Sequence, residues 1–304
     1  MEECVANPLS RCLKKLFGGI DLTWTKLIIF AVIAGVYTGV IAVLPAAKDT
    51  SFSDISKTFE WWVLFAVIII MNSHSAKEAA LKCFVFFLIS QPLVYLVEVP
   101  FSSMGWGIFV YYPPWFVWTL LTLPMAYVGY FMKQEQWYSV LILAAGLAFV
   151  GYHYQGFLHE TLSFFPNHLL SAIFCAVTMI IYPLYVFKDR RLKIAGLVIS
   201  AVIIVAMSVV AVASEKAAYR TDVLLSGGEV GGEFDDTYVV AFEDESFGTV
   251  EITRIEKLDC YAVHVELVRT GSTKLFLTAP DGTVRVFALD VGRDTYEIAE
   301  ITAG

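Results

Sequence analysis

Over the first two thirds of the chain, long apolar runs alternate with short polar breaks, and a two-residue alternation takes over after Ala213. The runs are Leu27–Leu44, Trp61–Met71, Ala79–Val97, Trp115–Met132, Trp137–Tyr152, Leu169–Phe187 and Ile194–Ala213. A bilayer core about 30 Å thick needs roughly 20 apolar residues at 1.5 Å rise, and six of these runs come near that length. Trp61–Met71, with 11 residues, does so only if Ile55 and Phe59 on one side and Asn72 to His74 on the other are added. Lys82 stands near the end of its run, where a long side chain can snorkel to the headgroups. Before the first run, Leu9, Cys12, Leu13, Leu16, Phe17 and Ile20 recur at helical spacing, with Arg11, Lys14 and Lys15 on the other face. That pattern predicts a short helix lying on an anionic leaflet.

Basic residues decide whether the short run counts, because Lys and Arg beside short loops stay cytoplasmic. With seven spans, one side collects Arg11, Lys14, Lys15, Lys26, Lys77, Lys82, Lys133, Lys188, Arg190, Arg191 and Lys193, and the other only Lys48 and Lys57 in its first loop. Deleting the short run puts the two richest basic segments on opposite sides. The chain therefore reads as seven spans with the N terminus inside and the C terminus outside. Trp61, Trp62, Trp115 and Trp137 then fall at span ends, as an interfacial belt requires. The first run starts only at residue 27 and is longer than the apolar part of a signal peptide, so it reads as a retained anchor.

After the last run, Tyr261, Val263, Val265 and Leu267 alternate with Ala262, His264, Glu266 and Val268, the period of a half-buried strand. Thr237–Phe242, Thr249–Arg254, Thr273–Thr278, Thr283–Leu289 and Thr295–Ile301 repeat the pattern. Arg269-Thr270-Gly271-Ser272 and Ala279-Pro280-Asp281-Gly282 have turn chemistry. These six segments predict a small antiparallel sandwich or barrel, with glycine-rich Ser226–Gly232 as linker. The expected architecture is an α-helical polytopic membrane bundle of about seven transmembrane helices carrying a C-terminal all-β extracytoplasmic domain. Its parts are a cytoplasmic segment (1–26), the spans (27–213), a linker (214–236) and the β-domain (237–304).

Composition agrees with two solvents. The 304 residues are 58% hydrophobic and 16% charged, against about 25% charged in soluble domains. Residues 1–216 hold 14 Lys+Arg and 12 Asp+Glu, whereas 217–304 hold 7 and 17. No basic face is available to neutralise phosphates, which rules out nucleic-acid binding as a main role. Cys4 and Cys12 precede the spans, Cys83 and Cys175 lie in or near them, and Cys260 alone is in the β-domain, so that domain has no internal disulfide framework. The three Asn residues form no glycosylation sequon, which favours a bacterial cytoplasmic membrane.

Chemistry-bearing residues gather in a few places. His153, His159, Glu160 and His168, around the break between the fifth and sixth spans, are candidates for a Zn site or for acid/base catalysis, or they supply a polar loop at the headgroups. They lack the spacing of a metalloprotease helix. Phe101 to Trp118 packs Trp106, Phe109, Tyr111, Tyr112, Trp115, Phe116 and Trp118 around glycines and prolines. Trp106, Tyr111 and Tyr112 are candidates to hold a headgroup, sugar or quaternary ammonium, although interfacial anchoring explains the same residues more cheaply. Pro92, Pro124 and Pro183 should kink their helices. Ser90 and Gln91, with Glu98 at the outer end, are candidates for a polar pathway. Gly35 and Gly39 have GxxxG spacing, which permits close helix contact within a bundle or between copies. Glu229, Glu233, Asp235, Asp236, Glu243, Asp244 and Glu245 offer oxygen ligands for Ca²⁺ or a solvated acidic surface. No charged residue falls at mid-span, which argues against a proton-driven pump.

Three functions remain open. The leading expectation is a non-enzymatic scaffold, sensor or accessory subunit that presents the acidic β-domain outside, with the lipid bilayer and an envelope or transport-complex protein as partners. The second is a facilitator for a small molecule or lipid through kinked helices. The third is an outer-leaflet enzyme using the His/Glu cluster.

Overall fold

A computed structural model describes the chain outside residues 1–7, 48–49, 55–57, 103, 167, 215–217, 227–232, 257–258, 293–295 and 302–304. Readings placed on Cys4, Lys48, Ile55, Lys57, Glu229, Thr295 and the glycines of 227–232 lie outside the described residues. Contacts divide the chain into two units, Met1–Leu158 with His168–Ala211, and His159–Asn167 with Val212–Gly304. Eight α-helices and then seven strands are described: α1 Pro8–Leu16, α2 Trp24–Val43, α3 Glu60–Met71, α4 Ala76–Glu98, α5 Tyr112–Gly129, α6 Trp137–Ser163, α7 Leu169–Val186 and α8 Arg190–Ala213. Six helical stretches are long and apolar enough to cross a membrane; 3₁₀ turns extend α5 to a 30-residue stretch, Gly105–Gln134.

Local chemistry sets the helix ends. Thr23 caps α2 by accepting from the Lys26 N–H at 3.4 Å, and Ser75 caps α4 by accepting from the Glu78 N–H at 3.2 Å. Glu78 reaches back to the His74 N–H at 2.7 Å, which satisfies a second donor at the same end. Pro92, Pro124 and Pro183 do sit inside α4, α5 and α7.

Hydrogen bonds between loops define one end of the helical unit. Asn72, after α3, accepts from the Ile20 N–H at 2.8 Å and donates to the Leu16 carbonyl at 2.6 Å. Tyr130 and Lys133, after α5, donate to the carbonyls of His74 and Ser73 at 2.7 and 2.6 Å. Glu135, before α6, accepts from the N–H groups of Lys188 and Asp189 at 2.5 and 2.8 Å. The segments before α2, between α3 and α4, between α5 and α6, and between α7 and α8 therefore share one end, here called the basic end. At the opposite, distal end, Asp54 meets His168 at the start of α7, and Phe59 meets Trp115, near the start of α5, at 4.9 Å. Short α3 thus runs between the same two ends as the long helices, although its 12 residues cover only about 18 Å.

Small residues allow close packing. A Cβ on Gly35 would stand 2.6 Å from the Ser90 carbonyl oxygen, and one on Gly39 would stand 2.7 Å from Val97 Cβ. The GxxxG face is therefore occupied by α4 of the same chain. Lys82 does not snorkel. It is 2% exposed, its ammonium paired with the Glu78 carboxylate and donating to the Leu22 carbonyl. The apolar face of the N-terminal segment is split: Leu9 is exposed, whereas Phe17 is buried with ring contacts to Tyr182 and Tyr185 at 6.1 and 5.9 Å. Trp62 also departs from the belt expectation, being 3% exposed inside the bundle, while Trp137 is exposed.

The second unit holds β1 Tyr219–Leu225, β2 Val239–Phe242, β3 Gly248–Ile255, β4 Cys260–Leu267, β5 Gly271–Thr278, β6 Val284–Val291 and β7 Tyr296–Ile301. They form two antiparallel sheets, ordered β1-β4-β3 and β2-β5-β6-β7. Leu224, Val263, Val265 and Leu267 of one sheet share a core with Phe242, Leu275, Leu277, Phe287 and Leu289 of the other, so the domain is a sandwich. The core of β4 matches its alternation, except that Ala262 on the opposite face is also fully buried. Strand β1 corrects the reading of 214–236 as linker: its register with β4 shifts between Asp222 and Leu224, a bulge that interrupts the period-two signal. At the other end of this unit's sequence, Phe164 stacks on Tyr219 with ring centroids 4.8 Å apart.

Candidate functional site

The helical unit contains a cavity of about 620 Å³, within the range of small-molecule sites. Its walls come from α3 (Trp62, Ala66, Ile70), α4 (Phe87, Gln91), α5 with its flanks (Trp115, Thr119, Met125), α6 (Leu143, Gly146, Phe149) and α7 (Tyr182). The space exists because small residues face it: a Cβ on Gly146 would meet nothing within 4 Å. Pro124 of α5 also lines it. Met125 and Val128, more than half exposed, belong to the same wall.

Among the described residues, no Asp, Glu, Lys or Arg lines this cavity. Three lining residues nonetheless carry a buried polar atom that has no partner among the described residues: Trp62 Nε1, Gln91 Nε2 and the Tyr182 hydroxyl. Their residues are 3%, 4% and 1% exposed. Each is a hydrogen-bond donor, and leaving such a donor unmade costs about 1–3 kcal/mol. By contrast, Thr119 and Thr122 donate to carbonyls of their own helix, Trp115 and Thr119, at 3.0 and 2.6 Å.

A polar cluster stands at the distal end. Both carboxylate oxygens of Asp54 lie within hydrogen-bond reach of His168 Nδ1, at 3.0 and 2.9 Å, and Asp54 Oδ2 also accepts from the Ser171 hydroxyl. The Thr58 hydroxyl lies 2.6 Å from both the Asp54 carbonyl and Glu60 Oε1, and its single proton serves one of them at a time. Glu60 Oε2 is buried without a partner among the described residues. The Ser171 hydroxyl bonds the carboxylate and not the imidazole. This differs from a nucleophile relay, in which the base stands between hydroxyl and acid. The cluster ties the loop before α3 to the start of α7.

The sequence candidates separate into distinct places. Of the residues proposed for metal or acid/base work, His153 is surrounded by the rings of Phe59, Phe149, Tyr152 and Phe157 at 5.8, 5.0, 5.7 and 6.4 Å. His168 is on Asp54, and His159 and Glu160 lie in the terminal turns of α6. Among the described residues no three His, Cys, Asp or Glu side chains gather in a way that could hold a metal ion. Three of the acidic residues offered for Ca²⁺ have other partners: Asp235 accepts from the Thr237 N–H, Asp244 from the Ser246 N–H, and Glu243 pairs with Lys274 at 2.8 Å.

Among the ligand-binding candidates, Gln91 lines the cavity, whereas Ser90 faces Gly35 at the contact of α2 and α4. Glu98 stands at the end of α4, outside the cavity lining. Trp106, Tyr111 and Tyr112 belong to a separate aromatic group: Phe109 packs on Trp106, Tyr95 and Tyr112 at 6.0, 5.6 and 6.2 Å, and the Tyr95 hydroxyl donates to the Tyr111 carbonyl at 3.2 Å. Sequence reasoning missed Asp54, Trp62 and Tyr182 as members of polar or cavity sites. Asp54 gave no signal of its own, because Thr50, Ser51, Ser53 and Thr58 around it make the segment read as an ordinary polar loop.

Comparison with protein-family models, with curated proteins and with solved structures finds no match to this chain.

Proposed function

We propose that the chain is a seven-span protein of a bacterial cytoplasmic membrane that works without catalysis, as a scaffold, sensor or accessory subunit presenting its β-sandwich outside the cytoplasm. The observation that carries this reading is the segregation of charge by the fold. The segments joined at the basic end carry Arg11, Lys14, Lys15, Lys26, Lys77, Lys82, Lys133, Lys188, Arg190, Arg191 and Lys193, the asymmetry expected of a cytoplasmic face. An odd number of passages then sends the chain after α8 to the opposite side. The sandwich supports the same reading, since it has its own buried core and an acidic exterior, suited to contact with another protein of the envelope or of a transport assembly.

Truncation after Ala218 tests this. The shortened chain should still insert in the membrane and should fail to restore whatever cellular defect follows loss of the whole protein. Full restoration by the truncated chain contradicts the scaffold reading. The cavity favours a second reading, a facilitator for an apolar molecule. Under that reading, restoration depends on the cavity wall and survives the truncation.

A further inference from the structure

We infer that the cavity between α3, α4, α5 and α6 is a binding site for a neutral lipid that carries a carbonyl oxygen, such as a quinone or an acylglycerol ester. The inference is independent of the scaffold reading. Its first support is the contrast between the wall and its exceptions: the lining is apolar, and the groups left without partners are Trp62 Nε1, Gln91 Nε2 and the Tyr182 hydroxyl. All three can donate. A bound molecule that relieves them therefore brings acceptors, and a carbonyl supplies two lone pairs in a compact, uncharged group. The Gln91 amide can present its donor by rotation about its last side-chain bond, a soft torsion.

Charge narrows the class. A phosphate or carboxylate headgroup desolvated here would need a cation, and among the described residues no Lys or Arg lines the cavity. A quaternary ammonium can stack on Trp115 and Trp118, but it leaves the donors unmet. Size narrows it further: about 620 Å³ takes a ring or ester group together with part of a chain. Met125 and Val128, exposed on an apolar helix, offer a continuous apolar surface for the rest of a lipid tail.

The test uses the full chain in phosphatidylcholine nanodiscs with two probes, decyl-benzoquinone and dioctanoylglycerol. Quinone binding is read by quenching of tryptophan fluorescence, since Trp62, Trp115 and Trp118 line the cavity. Dioctanoylglycerol is read by displacement of the quinone and by a rise in melting temperature. Gly146→Phe fills open space and should abolish saturable binding while the protein stays folded, with Gly146→Ala binding like the parent. Gln91→Leu should weaken binding about tenfold, the loss of roughly one buried hydrogen bond. Displacement or stabilisation by dioctanoylglycerol extends the site to ester carbonyls, and saturable binding of the quinone alone restricts it to quinones. Quenching that rises without saturation and equally in Gly146→Phe, with no effect of dioctanoylglycerol, overturns the inference, as does saturable binding unchanged in both Gly146→Phe and Gln91→Leu.

Discussion

Gly248 shows how strongly single residues constrain this fold. It holds φ at +145°, and a Cβ there would stand 1.8 Å from the Glu266 carbonyl oxygen. Because the obstacle is backbone in the paired strand β4, no side-chain movement relieves it. Gly248→Ala should destabilise the sandwich by about 3 kcal/mol or more, measured as faster proteolysis of the tail in the intact protein; unchanged cleavage would contradict the strand pairing. Gly35 poses the same problem against α4, and Gly35→Val should lower the melting temperature in detergent, with a cost of about 1–3 kcal/mol. The sequence marked Gly35 and Gly39 as a contact face but not its occupant, because spacing encodes a surface and not the partner. Lys82 shows the opposite limit. Hydropathy placed it near a span end, yet its burial depends on a carbonyl at Leu22, 60 positions away.

The elements follow local pattern where the pattern is unbroken. Six strands were legible from alternation because alternate residues turn toward the core, fully buried in β4 as Val263, Val265 and Leu267 and partly buried in β3 and β7 as Val250, Ile252 and Ile298. Strand β1 escaped because its bulge shifts the period midway. Helix α3, with 12 residues, is too short to stand out by hydropathy, and only the charge pattern argues for counting it as a span. The Asp54, His168 and Ser171 clasp was not legible at all: its members are up to 117 positions apart and only tertiary folding brings them together. Asp54→Ala removes both bonds and should lower the stability of the helical unit by about 1–3 kcal/mol, checked by thermal unfolding in detergent, with Ser171→Ala costing less. In the sandwich, Arg285 clamps Glu300 with two bonds of 2.8 and 2.9 Å, and Arg220 reaches Glu266 at 3.0 Å. These side-chain bonds hold both carboxyls below the usual carboxylate range. The unfolded chain then binds more protons than the folded one, so the stabilisation is present above the unfolded value, about pH 4.3, and is lost as pH falls through the lower folded values. Glu300→Gln should flatten that acid limb in a pH series of sandwich unfolding; a limb of unchanged slope would assign acid sensitivity elsewhere.

For the whole molecule, the order of passages and the separation of charge carry the account. The basic end is held together by hydrogen bonds from four segments, and in the proposed arrangement α3 is the passage that makes the count odd. The proposal depends on that passage: six crossings would put the N-terminal segment and the sandwich on one side of the membrane, and seven put them on opposite sides. Cys12 and the sandwich provide a direct contrast, because Cys12 is exposed on α1 and Val239, 66% exposed, accepts a cysteine on the surface of β2. The decisive measurement is labelling of Cys260→Ser, Val239→Cys protein in intact cells with a membrane-impermeant maleimide, repeated after the cells are opened. In the seven-span arrangement Cys12 is labelled only after opening and position 239 before it. Labelling of both positions in intact cells, or of neither until the cells are opened, would contradict the seven-passage arrangement.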